Sequence, residues 1–192
     1  MMDDVLVIDD IIDFETQVKI KDTMFSQDFP WFHFNDVVLG FGGKQIRRPA
    51  HFHLFYMNYK RNSNFCDMIE PIITNSGKQS NLNKFKMLKC RSFLQYPLNE
   101  NYAGLSEPKD TPHIDNLDPH MVFLYYVCDS DGDTVIYNYD KKEEPDLNNL
   151  EVKKSIKPKQ GRVVIFNGKY WHCSTQPKEN IRCVINSNII CE

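Results

Sequence analysis

From Phe85 onward the sequence breaks into short β-type runs separated by turn signals, with no helical stretch between them, and this pattern limits the fold more than any other feature. The runs fall near 87–96, 111–115, 121–128, 133–139, 151–156, 162–167, 170–175 and 181–190. Asp131-Gly132 predicts a tight hairpin between the third and fourth runs, and Gln160-Gly161 turns the chain between the fifth and sixth. Strands this short and this numerous, with no helix among them, predict a jelly roll or a barrel.

The first 85 residues read differently. Asp13 can cap a helix whose Phe14, Val18 and Phe25 fall near one face, ending before Pro30. Pro30-Trp31-Phe32-His33-Phe34 and His51-Phe52-His53-Leu54-Phe55-Tyr56 alternate like strands, and a second helix is expected from about Phe65 to Ile73, with Pro71 breaking or restarting it. The expectation is therefore one domain over 1–192: a helix-containing N-terminal support (1–85) on a mainly β catalytic core (86–192). Residues 97–110 form a polar stretch without periodicity that leads directly into the first chemical motif. Loops of that length in a small domain are usually functional or disordered, so a mobile flap is expected there.

Composition then removes several classes of function. Twenty-six acidic against 23 basic residues give a net charge of −3, so no nucleic-acid partner and no polybasic membrane anchor are expected. The longest apolar runs, such as Val122 to Cys128, fall far short of the ~18 residues of a membrane span. The first ten residues are acidic where a targeting peptide needs positive charge, and no two of the six cysteines are spaced Cys-x-x-Cys. Reduced, packed thiols and a cytoplasmic location are the expectation.

Chemistry concentrates in Thr111-Pro112-His113-Ile114-Asp115. On a strand, residues i and i+2 share a face, so His113 and Asp115 would point into one space. His172, 57 residues after Asp115, offers a third ligand on a later strand. Two imidazoles and one carboxylate occupy one face of an octahedral metal and leave the other face open, the arrangement of non-haem Fe(II) oxygenases. By itself His-x-Asp is a weak signal that a surface strand carries equally well. Arg182 strengthens it. It lies ten residues after His172 on a run where Arg182, Val184, Asn186 and Asn188 alternate with Cys183, Ile185, Ser187 and Ile189, so a polar cavity wall is expected. A guanidinium there is shaped to grip a carboxylate with two parallel hydrogen bonds. His120 shares the Tyr126 face by alternation and is read as a cavity-rim or surface residue, whereas His33, His51 and His53 are read as core or surface residues.

In order and spacing, His113-x-Asp115, His172 and Arg182 resemble the Fe(II)/2-oxoglutarate-dependent dioxygenases, and within them the prolyl 4-hydroxylase-like branch. Phe93-Leu94-Gln95-Tyr96-Pro97, Phe123-Leu124-Tyr125-Tyr126-Val127, Asp131-Gly132-Asp133-Thr134 and Gly161-Arg162-Val163-Val164-Ile165-Phe166 support that resemblance, which covers about residues 85–190. It implies a double-stranded β-helix in which His113, Asp115 and His172 hold iron. Arg182 would pair with the distal carboxylate of 2-oxoglutarate, Tyr126 would hydrogen-bond the same group, and Tyr96 would lie near the metal-chelating end. Thr134, Ser174 and Asn188 would line the pocket. The implied reaction hydroxylates an aliphatic C–H bond of a prolyl or other amino-acid or peptide substrate, with Fe(II), O2 and 2-oxoglutarate consumed to succinate and CO2, and with ascorbate as an accessory reductant. Cys128 stands where an Asn often follows the Tyr-Tyr strand, and Asn188 where some relatives place a bulky aromatic; both departures bear on substrate rather than iron. Two other readings compete: a jelly-roll binding or structural protein without turnover, and a cupin-type metal protein that does not use 2-oxoglutarate.

Overall fold

The structure, a computed structural model, describes residues 5–36, 48–82, 84–98, 102 and 109–191. In chain order the elements are β1 (Leu6–Ile8), α1 (Phe14–Met24), β2 (Phe32–Phe34), β3 (Ala50–Met57), β4 (Lys60–Arg61), α2 (Cys66–Gln79), β5 (Phe85–Gln95), β6 (Met121–Tyr126), β7 (Thr134–Tyr137), β8 (Val152–Ile156), β9 (Val163–Asn167), β10 (His172–Ser174) and β11 (Arg182–Cys191). A large antiparallel sheet runs β1-β9-β6-β11-β5-β3-β2, with β4 paired to β3. A small sheet runs β10-β7-β8. This is the mainly β, jelly-roll plan expected from the sequence.

Alternation explains why the large sheet can carry two layers. Along β6, Val122, Leu124 and Tyr126 pack with Ile136, Ile156, Val164, Phe166 and Val184 in the cluster between the two sheets. The alternate residues Met121, Phe123 and Tyr125 pack with Ile20, Met24, Ile69 and Ile72 of the helices. A strand buried on both faces is apolar throughout, as β6 is. Five of the six cysteines are buried, and all six are free. Among the described residues, no helix is long and apolar enough to cross a membrane.

Several expectations need correction. Residues 111–115 do not form a strand; His113 makes only an isolated bridge to His172. Asp131-Gly132 is not a hairpin turn, because β6 pairs with β9 and β11 while β7 pairs with β8 and β10, so the chain crosses here from the large sheet to the small one. In α1, Asp13 caps the helix by accepting the Thr16 N–H at 2.9 Å, but the buried face is Gln17, Ile20 and Met24. Phe14 is 71 % exposed and Phe25 lies just beyond the last turn, 40 % exposed. Pro71 does not break α2, which runs on to Gln79. The proline lies on the exposed side, where water can take up the Asp67 carbonyl that loses its helical donor. The expected flap at 97–110 lies largely outside the described residues, which omit 99–101 and 103–108.

Besides the β1–β9 and β3–β5 pairings, the first part of the chain meets the rest closely around Gly161 and Asp9. Gly161 sits at φ +79°, where a Cβ would also meet the Gln17 side chain at 2.5 Å. Gln17 is fully buried and donates to the Ile12 carbonyl at 3.0 Å. Gly161→Ala is thus expected to cost about 1–3 kcal/mol through strain and overpacking, seen as a lower denaturant midpoint with an unchanged slope. Nearby, Asp9 accepts from Arg162 Nε at 2.6 Å and from Lys159 Nζ at 2.8 Å, and these hydrogen bonds lower its pKa to about 2. A carboxylate depressed on folding stabilises the protein above its unfolded pKa and stops doing so as pH falls through the folded value. The stability difference between the native chain and Asp9→Asn should therefore be present above pH 4 and vanish between pH 4 and 2. For an exposed pair it should not exceed about 1 kcal/mol in urea melts.

Candidate active site

The site is built on one bridge between distant segments. The His113 N–H donates to the His172 carbonyl at 3.0 Å, and the His172 N–H returns the bond to the His113 carbonyl at 2.9 Å. Both histidines repeat one local device. His113 Nδ1 lies 3.0 Å from the Thr111 carbonyl, and His172 Nδ1 lies 3.1 Å from the Tyr170 carbonyl. A carbonyl can only accept, so each Nδ1 carries a proton, and Nε2 is the ring nitrogen left to face a metal. Asp115 completes the group, with its carboxylate oxygens 4.0 Å from His113 Nε2 and 3.8 Å from His172 Nε2. The three ligand atoms all lie within 4.8 Å of one another.

Their protonation suits metal binding. Burial, reinforced by neighbouring His113, lowers the His172 pKa to about 4, so this imidazole is neutral at pH 7. Burial by itself would raise the Asp115 pKa, but the two imidazoles, Arg91 and the Asn186 hydrogen bond more than reverse it and hold the carboxylate ionised. Asn186 and Asn188 on β11 donate to Asp115 Oδ2 at 3.0 and 2.9 Å, and Arg91 on β5 donates to Oδ1 at 3.3 Å. Two imidazole nitrogens and one oriented carboxylate fit a divalent metal of the octahedral, nitrogen-and-oxygen-loving kind.

The group faces a cavity of about 280 Å³ between the sheets. At one end Arg182 is buried, donating to the Gly132 carbonyl (2.9 Å), Gln95 Oε1 (2.8 Å) and Thr134 Oγ1 (2.8 Å). All three acceptors are neutral, and no carboxylate of the described residues forms an ion pair with it. A buried cation without a counter-ion is costly, so this end of the cavity fits an anion. Gly132 is what lets the guanidinium sit here, since a Cβ would come within 2.9 Å of Arg182 Cδ. The Asp131 carboxylate holds the approach to β11 by accepting the backbone N–H groups of Lys178, Glu179 and Asn180 at 2.8–3.1 Å. The dipeptide thus positions Arg182 instead of turning a hairpin.

Not every expected residue faces this cavity. Thr134 and Ser174 line it. Asn188 is buried on the Asp115 carboxylate instead. Tyr126 stands behind the lining, its hydroxyl donating to Thr134 Oγ1 at 2.7 Å, so it meets the Arg182 end through Thr134. Tyr96 is 40 % exposed, with its ring against His51. The wall on β5 is the opposite alternation, Lys89, Arg91, Phe93 and Gln95, while Leu94 packs toward the helices. Tyr96 therefore lies outside the lining, and Gln95, which the sequence motif does not single out, forms part of the wall. Nor does the sequence point to the buried pair in which Arg48 Nη1 lies 2.7 Å from Asp110 Oδ1, with Asp110 Oδ2 also accepting from Ser174 Oγ. The β5 alternation was available as a signal for Gln95, but nothing local links Arg48 to Asp110.

His120 is neither rim nor surface. It is buried, its Nδ1 at 2.8 Å from the Asp118 carbonyl, and its ring covers Gly168, where a Cβ would fall 2.2 Å from Nε2. His53 is a buried bridge between the Pro30 carbonyl (2.9 Å) and Ser63 Oγ (2.8 Å). Gly168→Ala is expected to destabilise the protein by about 1–3 kcal/mol through overpacking, and most of that loss should return in the Gly168→Ala/His120→Ala pair. Thermal melts of the four members of this cycle measure it.

No protein-family model matches the chain, and no curated protein sequence matches it. Solved structures do. A viral collagen prolyl hydroxylase from Paramecium bursaria Chlorella virus-1, solved with 2-oxoglutarate, superposes with a TM-score of 0.58 at 15% identity, over 98% of this chain and 96% of that one. A prolyl hydroxylase of Trichoplax adhaerens, in complex with a hypoxia-inducible-factor peptide, gives 0.60 at 13% identity over 97% and 83%. An α-ketoglutarate-dependent epimerase of nogalamycin biosynthesis gives 0.66 at 9% identity over 98% and 79%. The chain therefore has the fold of the 2-oxoglutarate- and Fe(II)-dependent oxygenases, with a His-Asp-His cluster in its central cavity.

Proposed function

We propose that the protein is an Fe(II)/2-oxoglutarate-dependent oxygenase that hydroxylates an aliphatic C–H bond of a prolyl or other amino-acid or peptide substrate. The observation that carries this reading is the pairing, in one cavity, of a His-Asp-His cluster with a buried guanidinium that has only neutral partners. A dicarboxylate whose far end meets that guanidinium fits both.

When bound, Fe(II) and 2-oxoglutarate supply the oxidising chemistry: O2 and 2-oxoglutarate are converted to succinate and CO2, with the second oxygen atom delivered to the substrate as hydroxyl. The chain's own residues supply position and electrostatics. His113 and His172 turn their Nε2 atoms to the cluster because their Nδ1 protons are committed to backbone carbonyls. Asp115 offers a carboxylate kept ionised and oriented by Arg91, Asn186 and Asn188. Arg182 grips the distal carboxylate, with Gln95, Thr134 and the Gly132 carbonyl fixing its plane and Tyr126 steadying Thr134. Val122, Leu124, Phe166 and Val184 line the apolar part of the cavity and limit water there.

The test is anaerobic loading with Fe(II), then succinate formation on admitting O2 across prolyl peptides and free amino acids. Arg182→Ala should raise the KM for 2-oxoglutarate at least tenfold, the size of one lost charge-assisted pair, and leave Fe(II) affinity unchanged. Gly132→Ala should act in the same direction and less strongly, through displacement of the guanidinium. No succinate above background, or 2-oxoglutarate affinity indifferent to Arg182, would remove the reading.

A further inference from the structure

The cavity has a second cationic end that the cosubstrate does not account for. On β5 the side chains of Lys89 and Arg91 line the same cavity as the His-Asp-His cluster. Their neighbours in register on β11 are Asn188 and Asn186, the two residues that hold Asp115. Arg91 uses one Nη2 on Asp115 Oδ1 at 3.3 Å and lies 5.0 Å from the centre of the Phe93 ring. Its Nε and Nη1 have no hydrogen-bond partner among the described residues, nor has Lys89 Nζ, although both side chains are only partly exposed.

Charge balance makes this pair informative. Arg48 is matched by Asp110, and Arg182 would be matched by the distal carboxylate of 2-oxoglutarate. A divalent cation at the cluster would be matched by Asp115 and the second carboxylate of 2-oxoglutarate. Lys89 and Arg91 then remain as a surplus of two positive charges beside the reacting centre, even though Arg91 shares Asp115 at 3.3 Å. Two like charges on one strand face, partly removed from water, repel each other and favour an anionic guest.

We infer that the substrate carries a carboxylate and that Lys89 and Arg91 bind it, so that the substrate is a free amino acid or the C-terminal residue of a peptide rather than an internal residue of a chain. The inference rests on the oxygenase reading above and names the substrate class for that same site. Arg91 has two tasks, as it also steadies Asp115. Lys89 touches none of the three cluster residues in any hydrogen bond or ion pair of the structure, and it is therefore the cleaner probe.

Calorimetry on the full chain loaded with Mn(II) and 2-oxoglutarate tests this without turnover. The probes are free L-amino acids, proline included, and Gly-Gly-Xaa tripeptides, each against its own C-terminal carboxamide. At least one acid should bind tenfold or more tightly than its carboxamide, and tighter binding of the tripeptide acid or of the free amino acid identifies which source is used. Lys89→Gln should reduce the preference to threefold or less, Lys89→Glu should reverse it, and Arg91→Lys should retain part of it. 2-Oxoglutarate affinity, measured separately on each folded variant, should stay within twofold for the Lys89 changes. The inference is overturned if acids and carboxamides bind alike, if no acid binds, or if the preference survives both Lys89→Gln and Arg91→Gln. Failure of 2-oxoglutarate to bind the native chain would instead remove the oxygenase reading, and this inference with it.

Discussion

Two backbone hydrogen bonds between His113 and His172 hold the site together. They fix the distance between two segments almost sixty residues apart, and they make each imidazole face the other, with ring centres 4.8 Å apart. Because each Nδ1 proton is used on a carbonyl two residues earlier, the ligand nitrogens are chosen by the backbone rather than by any further side chain. Asp115 needs no strand of its own to join them. The amides of Asn186 and Asn188 and the guanidinium of Arg91 draw it in from the large sheet. The cluster thus depends on both sheets at once, and a change that separates them would disperse it.

Buried charge organises the rest of the cavity. Arg48 and Asp110 neutralise each other in one wall. Arg182 is held by neutral oxygens only, a state whose cost a ligand carboxylate would offset. Gly132, with no Cβ to obstruct the guanidinium, and Asp131, clasping three consecutive N–H groups ahead of β11, make that arrangement possible. The short crossover between sheets is therefore part of what seats Arg182.

Much of this was legible in the residues. The strands follow from alternation and turn signals, and seven of the eight expected runs are strands in the structure. Arg182 was visible because β11 shows its polar and apolar faces plainly in sequence, the cluster residues through their His-x-Asp spacing and the later His172, and Thr134 and Ser174 only through the family resemblance. The resemblance implies that Tyr96 lies near the pocket, but alternation along β5 gives two faces without saying which is inside. The choice is made by the helices: α1 and α2 cover the Leu94 face and leave Arg91, Phe93 and Gln95 to the cavity. The same limit explains α1, where two aromatic residues looked like the buried stripe while a glutamine occupied it, its amide satisfied by the Ile12 carbonyl and the Asp10 carboxylate.

By itself, then, the sequence determined which segments become strands and which residue types could hold a metal and a carboxylate, since both depend on local period and side-chain chemistry. Only the tertiary structure decided how the strands are shared between sheets, which face of β5 is inside, and that Asp131-Gly132 seats an arginine instead of turning a hairpin. It also decided that His120 is packed away over Gly168 and that Arg48 meets Asp110. Each of these depends on contacts between residues far apart in the chain, and no local pattern carries that information.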